Sequence, residues 1–322
     1  MGLTSKFVRV VLLTVALSAS VFASPTPAAD LLKAGRIDDA INTLNARLQA
    51  SPNDAEAQHL LSRAYYHLKD WDRSVSYGEK AVQLASNRYD FYLWLGRAYG
   101  GKADDANPFS AARMVGKIRN NFQKAVELNP NDVAARTDLA EFYLEAPGFM
   151  GGGTDRALAE SKRIEQQDAA RAHWVLARIA EKKKDNATAE REYKEALRLS
   201  PSADYWNNLA SFYRRTNRWA EFDDAIAKST APNMKRRSND LYDAAEMLYT
   251  TGRNLPLAAD LVRRYLNSNA MNEEAPAFMA HLLLGRIQEK MGDKAGAEKE
   301  YRASLALAST YRETLDALKK LR

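Results

Sequence analysis

Four histidines, His59, His67, His173 and His281, and no cysteine are the nitrogen and sulfur ligands the chain could offer a metal ion. Zinc sites gather such ligands a few residues apart, and no HxxxH or Cys/His spacing of that kind occurs. His59 and His67 are separated by eight residues. On one helix that places them about 12 Å apart along the axis, too far to share an ion, so both read as surface or groove histidines. Gly151, Gly152 and Gly153 followed by Thr154 have the glycine content of a phosphate loop. They lack its lysine and the strand that would lead into it. The segment reads as a flexible external turn before a helix, with Thr154 or Asp155 as N-cap, and its deletion is expected to cost little stability. Phe149 and Met150 beside it would then be exposed apolar contacts for a partner. No Asp or Glu pair is set by helix spacing toward a common cleft, as glycan hydrolysis would need. The chain is therefore read as a binding protein without catalytic residues, metal or cofactor.

The elements that must position any binding surface are best seen in residues 171–201. Apolar residues fall at helical spacing in two runs, Trp174, Leu176, Ala177 and Ala180, then Ala189, Tyr193, Ala196 and Leu197. Lys184, Asp185 and Asn186 break the two runs into a helical hairpin. Such a hairpin cannot bury its own apolar faces, so it must stack on copies of itself. Counted in a 34-residue unit from residue 170, Leu176 and Ala177 fall at positions 7 and 8, Ala189 at 20, Tyr193 at 24, Ala196 at 27 and Pro201 at 32. This pattern resembles the tetratricopeptide repeat. The resemblance implies an all-α, right-handed superhelical solenoid of stacked hairpins, an architecture that presents surfaces to protein or peptide partners.

The period can be followed through the chain as a single solenoid over residues 24–322 with seven or eight units. Leu61, Ser62 and Tyr65 mark the second unit, Leu95, Gly96 and Tyr99 the third, Leu139, Ala140 and Tyr143 the fourth, and Leu209, Ala210 and Tyr213 the sixth. A seventh, near 238–269, is degenerate, and the eighth recovers Leu284, Gly285, Ala297 and Tyr301. The third unit carries about ten extra residues near 100–110 and the fourth about five near 146–155, both expected as loops between the two helices of a unit. Residues 310–322 are expected to form a charged helix that caps the last apolar face.

Residues 1–23 read as a secretory signal peptide. Lys6 and Arg9 precede the apolar run 10–21, and Val21, Phe22 and Ala23 supply a cleavage site before Ser24. The run is shorter than the roughly 18 to 20 apolar residues of a membrane span, and no second candidate span exists. Removing Lys6 and Arg9 from 47 basic residues leaves 45 against 41 acidic ones, a net charge near +4 with the signs interspersed. That balance argues against a nucleic-acid partner. Export without cysteine points to the periplasm of a Gram-negative bacterium.

In the family that the repeats resemble, first helices line a concave groove, and positions 2, 5, 9, 12 and 13 face into it. Carried onto this chain, position 9 is Arg63, Arg97, Arg178 and Arg286. Tyr66, His67, Trp174, Asn207, Arg214 and Arg215 join them as a basic and aromatic ladder, interrupted by Thr137, Glu141 and Glu145 of unit four. Guanidinium forks recognise carboxylates, so a partner with acidic segments is expected unless the arginines pair with neighbouring helices of the chain itself. The carboxylate-clamp subtype is not matched, because Trp174, Arg178 and Asn208 share only its asparagine. Two readings result: a periplasmic scaffold that binds a protein or peptide in its groove and assists assembly of an envelope complex, or a structural or regulatory subunit that binds through its convex face and the Phe149–Met150 loop.

Overall fold

The computed structural model describes residues 27–236, 239–268 and 272–321. Residues 1–23, expected to be a signal peptide, lie outside the described residues. Eight helical hairpins follow one another: α1 (Ala28–Lys33) with α2 (Ile37–Ala50), α3 (Ala55–His67) with α4 (Trp71–Leu84), α5 (Tyr89–Asp104) with α6 (Pro108–Leu128), and α7 (Val133–Glu145) with α8 (Thr154–Ile164). Then come α9 (Ala169–Lys182) with α10 (Asn186–Leu199), α11 (Ala203–Arg215) with α12 (Trp219–Ser229), α13 (Asp240–Thr251) with α14 (Leu255–Leu266), and α15 (Ala277–Lys290) with α16 (Lys294–Leu307). A final helix, α17 (Arg312–Leu321), closes the chain order. The described residues contain no strand, and none of their helices is long and apolar enough to cross a membrane.

Local chemistry sets these boundaries. Asp54, Asp132 and Asp168 cap first helices, and Asp70, Asp185 and Asp293 cap second helices, each accepting a hydrogen bond from a backbone N–H of the first turn at 2.7–3.1 Å. Between the helices of a unit the chain turns through one residue in the left-handed region, Gly35, Lys69, Lys184, Asn217 or Gly292, and in unit seven through two, Gly252 and Asn254. Units three and four, which carry the extra residues, have no such residue directly after their first helix. In unit three the addition does not form a loop. It lengthens the helices to 16 and 21 residues and leaves a turn of only 105–107, because Asn107 caps α6 and Pro108 occupies its first position, where its missing N–H costs nothing.

In unit four the addition is a built loop rather than a flexible one. A 3-10 turn, Gly148–Met150, is followed by Gly152 N donating to Pro147 O at 3.1 Å and Gly153 N donating to Tyr143 O at 2.8 Å. Gly153, not Thr154 or Asp155, stands at the N-cap of α8. A Cβ on Gly152 would lie 1.8 Å from the Ala146 carbonyl oxygen. Elsewhere small residues do what the period requires. Ser62 and Ser74 exchange hydrogen bonds with each other's carbonyls at 2.7 and 2.8 Å, and a Cβ on Gly96 would meet the Phe122 ring at 2.5 Å.

The solenoid does not end in two open faces. Leu31, Leu32, Ile37 and Leu44 of the first unit share one apolar cluster with Phe278, Leu282, Tyr301 and Tyr311 of the last. The apolar face expected to be capped by the C-terminal helix alone is thus covered by the first hairpin as well, and the helices close into a ring. Polar contacts fasten the seam. Ser309 N donates to Asp38 at 2.8 Å, Lys69 pairs with Glu313 at 2.6 Å, and Arg63 forks onto Glu273 at 2.6 and 3.0 Å across 210 residues. Gly35 is required here, since a Cβ would sit 2.4 Å from the Ala277 nitrogen.

Two outcomes are expected from these contacts. In urea melts, Gly96→Leu and Gly152→Ala should each lose about 1–3 kcal/mol by overpacking, whereas Gly116→Ala, in a helix with nothing within 4 Å of its Cβ, should gain about 0.5–1 kcal/mol. Burial raises the Glu273 carboxyl, but His67 and Arg63 outweigh it and hold it below the usual range. Its stabilisation is present above the unfolded carboxyl value and is lost as pH falls through the lowered one. Glu273→Gln should therefore cost about 3 kcal/mol near neutral pH and open the seam, read as a larger radius of gyration by small-angle scattering, with the difference from wild type vanishing in acid.

Candidate functional site

Successive first helices touch one another, α3 with α5, α7 with α9, α11 with α13 and α13 with α15, and successive second helices make no comparable contact. First helices therefore line the inside of the ring, where the ladder residues were expected. Each position-9 arginine holds carboxylates of this chain. Arg97 pairs with Asp138 at 2.6 Å, Arg286 with Glu313 at 2.8 Å, Arg63 with Glu273, and Arg178 with Glu145 and Glu181, both at 3.3 Å. Arg171 bridges to Asp204 and Arg215 to Glu181, so the three consecutive seams α5/α7, α7/α9 and α9/α11 carry such pairs. Removing these arginines would strand carboxylates in the seams, and the side chains cannot be treated as free forks.

The other ladder residues divide. Tyr66 and His67 lie on one face of α3 beside Trp94 of α5, with ring centroids 5.4–5.8 Å apart. Trp174 is 9% exposed with Arg171 over its ring, which leaves little contact area. Asn207 is buried and donates to the Asp240 carbonyl at 2.9 Å, bolting α11 to α13, and Arg214 reaches Thr250 at 3.4 Å. His59 is neither a surface nor a groove histidine. It is buried beneath Phe91, 4.3 Å between centroids, and burial, with Arg63 nearby, pushes its pKa down to about 3, so it stays neutral. His173 and His281 each bond a glutamate of the following helix, Glu192 and Glu300, at 2.7 Å.

One open basin of about 620 Å³ lies on the inner face between units two, three and four. Tyr66, Trp71, Trp94 and Phe142 give it apolar walls, and Asp138, Glu141, Glu145, Glu273 and Glu274 its polar groups. Arg63 and Arg97 lie against the Trp94 ring at 4.9 and 5.0 Å from its centroid and leave it half-buried, and Trp71 donates to Asp105 at 2.5 Å. Trp94 escapes the sequence reading because it occupies position 6, one of the positions not assigned to the groove. Glu273 and Glu274 had no sequence signal at all, since they reach the basin only through ring closure. Among the described residues no group of three or more His, Asp or Glu is placed to hold a metal ion.

The inner face is crowded with carboxylates. Burial raises Glu141, with Asp138 and Glu145 adding to the effect against Arg178, and burial with Asp105 and Glu145 raises Asp104. Asp243 is pushed up to about 8 by burial and by Asp240, Glu246, Asp204 and Glu274. On the outer edge, Phe149 stands 87% exposed from its braced turn and Met150 is half-buried. Arg156 donates to the Gly151 carbonyl at 2.5 Å beneath them.

Models of the tetratricopeptide repeat match residues 28–89, 152–204 and 185–230, residues 121–172, and residues 280–311. Together they span more than half of the chain, which belongs to the tetratricopeptide repeat family. It is accordingly a helical-repeat interaction module. Yeast Tom70 shares 16% identity over 95% of this chain and 65% of its own, with a TM-score of 0.54. A thermophilic tetratricopeptide repeat protein of Thermus thermophilus shares 21% over 57% of this chain and 94% of its own, with a TM-score of 0.48. PilW, a type IV pilus biogenesis factor, shares 16% over 64% and 90%, with a TM-score of 0.49. At these identities the likeness is one of fold. No match is found among curated protein sequences.

The raised Asp243 carboxyl has a measurable consequence. Its value in the unfolded chain is about 3.9, so between roughly pH 4 and pH 8 the folded state holds the proton that the unfolded state has lost. Stability contributed in this way is full below pH 4 and is lost as pH rises through 8. Asp243→Asn removes the titration and can still accept the hydrogen bond that Asn239 donates at 3.0 Å. Its melting temperature should fall less than that of wild type between pH 4.5 and 8.5.

Proposed function

We propose that this protein is an exported scaffold that binds an extended segment of a partner protein on the inner face of its ring and assists assembly or organisation of an envelope complex. The observation that carries the reading is the basin beside Tyr66 and Trp94, where the first helices leave aromatic surface uncovered. Aromatic side chains give contact area at small entropic cost, and a family built to present such faces supports the same reading. Export rests on Lys6, Arg9 and the apolar run 10–21 ahead of Ser24, and it places the partner in the periplasm. Arg63, Arg97 and Arg178 act as the frame of the site, holding Trp94 and the helix seams in place, while Tyr66 and His67 face the segment.

The second reading, a subunit that binds through its outer surface, is favoured by Phe149, whose turn is braced by four backbone hydrogen bonds that hold an apolar ring in water. A photo-crosslinking residue placed at Tyr66 or at Phe149 in cells separates the two. The groove reading expects a discrete adduct from position 66 and none from 149. The mature chain should begin at Ser24 and be released by osmotic shock. An adduct from 149 alone rejects the groove, and a soluble cytosolic species that retains Met1 rejects export.

A further inference from the structure

The charge of the segment can be taken further, on the reading that the groove is the binding face. The expectation of an acidic partner depended on free guanidinium forks, and those forks already hold Glu273, Asp138 and Glu145. We infer that the basin between units two, three and four receives a basic side chain, Lys or Arg, of the partner, with an apolar residue of the same segment beside it on Phe142 and Met279.

The cations that approach the basin are committed. Lys69 turns its ammonium to Glu313 at 2.6 Å, Arg97 is engaged by Asp138, and Arg63 by Glu273. Arg178 is divided between Glu145 and Glu181 at 3.3 Å, with Glu141 at 3.9 Å, and Glu181 already holds Arg215. Glu141 and Glu145 thus share part of one guanidinium, and Glu145 also meets the exposed Lys182 at 3.9 Å. Glu274 is exposed at the opposite wall and has no ion pair among the described residues. Asp104, raised by burial, Asp105 and Glu145, adds to the same field. A basin with several carboxylates and too few cations attracts positive charge, and burying a ligand's charge there is favourable because its counter-charges are already fixed.

A second observation concerns the wall of the basin. His67 is only 6% exposed and lines it, with Nε2 turned to Glu273 at 3.5 Å, so its imidazole is already directed at a carboxylate of this chain. The apolar lining beside it, Phe142 and Met279, accepts the aliphatic stem and the neighbouring residue. The space suits two or three residues of an extended chain rather than a helix.

The test uses a random twelve-residue peptide library displayed on phage and selected on the full-length mature protein. The expected pool is enriched in Lys or Arg next to Leu, Phe or Met. Individual peptides should lose at least tenfold in affinity, about 1.4 kcal/mol, for the Glu141→Gln, Glu145→Gln, Glu274→Gln triple variant. They should bind the Phe149→Ser, Met150→Ser variant as they bind wild type. The triple variant also loosens the Arg178–Glu145 tie, so Glu274→Gln alone, which breaks no ion pair among the described residues, is the control: it should melt with wild type and still lose affinity, which separates lost binding from lost folding. A pool enriched in Asp or Glu, or without charge bias, that still loses affinity in the triple variant or on Tyr66→Ala overturns the basic-segment inference and leaves the groove reading standing. Peptides that respond only to the Phe149 and Met150 changes overturn the groove reading itself. Displacement by millimolar spermidine as effective as by excess unlabelled peptide would assign the basin to free polyamines and overturn the inference.

Discussion

Every feature of this protein depends on the inability of a two-helix hairpin to bury its own apolar face. A fully buried large side chain contributes on the order of 1.5–3 kcal/mol, and each hairpin has several that find cover only on the next one. In an ordinary stack the two terminal faces remain to be covered by polar capping helices. Here Leu31, Leu32 and Ile37 at one end meet Phe278, Tyr301 and Tyr311 at the other, so the terminal faces cover each other. The constraint that makes the units stack is the one that closes them into a ring.

Closure changes the chemistry of the inner face. A curved row of first helices brings together side chains that charge each seam, and the arginines at position 9 are consumed in holding the seams. Arg97 on Asp138 and Arg178 on Glu145 each tie one helix to its neighbour, and Arg63 on Glu273 ties the second unit to the eighth. Carboxylates outnumber the cations that remain. Glu141, Asp104, Glu246 and Asp243 are all raised by burial on the ring's interior, which is the electrostatic signature of that excess.

The same economy of contacts explains why the two insertions behave differently. The extra residues of unit three begin with the poor helix formers Gly100 and Gly101, yet α5 runs on through them, with Gly101 packed so closely on Trp71 that a Cβ would meet the ring at 2.5 Å, until Asn107 and Pro108 start α6. In unit four, Pro147 and three glycines cannot continue a helix and fold back on Tyr143 and Ala146 instead. A projecting loop therefore appears at Phe149, while the unit-three addition leaves only a short turn.

Much was legible from residues alone. Period, helix type and the small residues at Gly96 and Ser62 follow from local spacing and from steric rules that act within about 34 residues, and the resemblance to a repeat family implied the placement of first helices on the inner face. Tyr66 and His67 could be placed by the same arithmetic. Tertiary structure alone decided that the ends meet, that Glu273 and Glu274 enter a basin more than 200 residues away in sequence, and that His59 is buried against Phe91. It also decided which carboxylates the arginine ladder holds. A repeat pattern specifies which neighbour each helix touches, but the angle between units accumulates over eight hairpins, and only its sum determines whether the first meets the last.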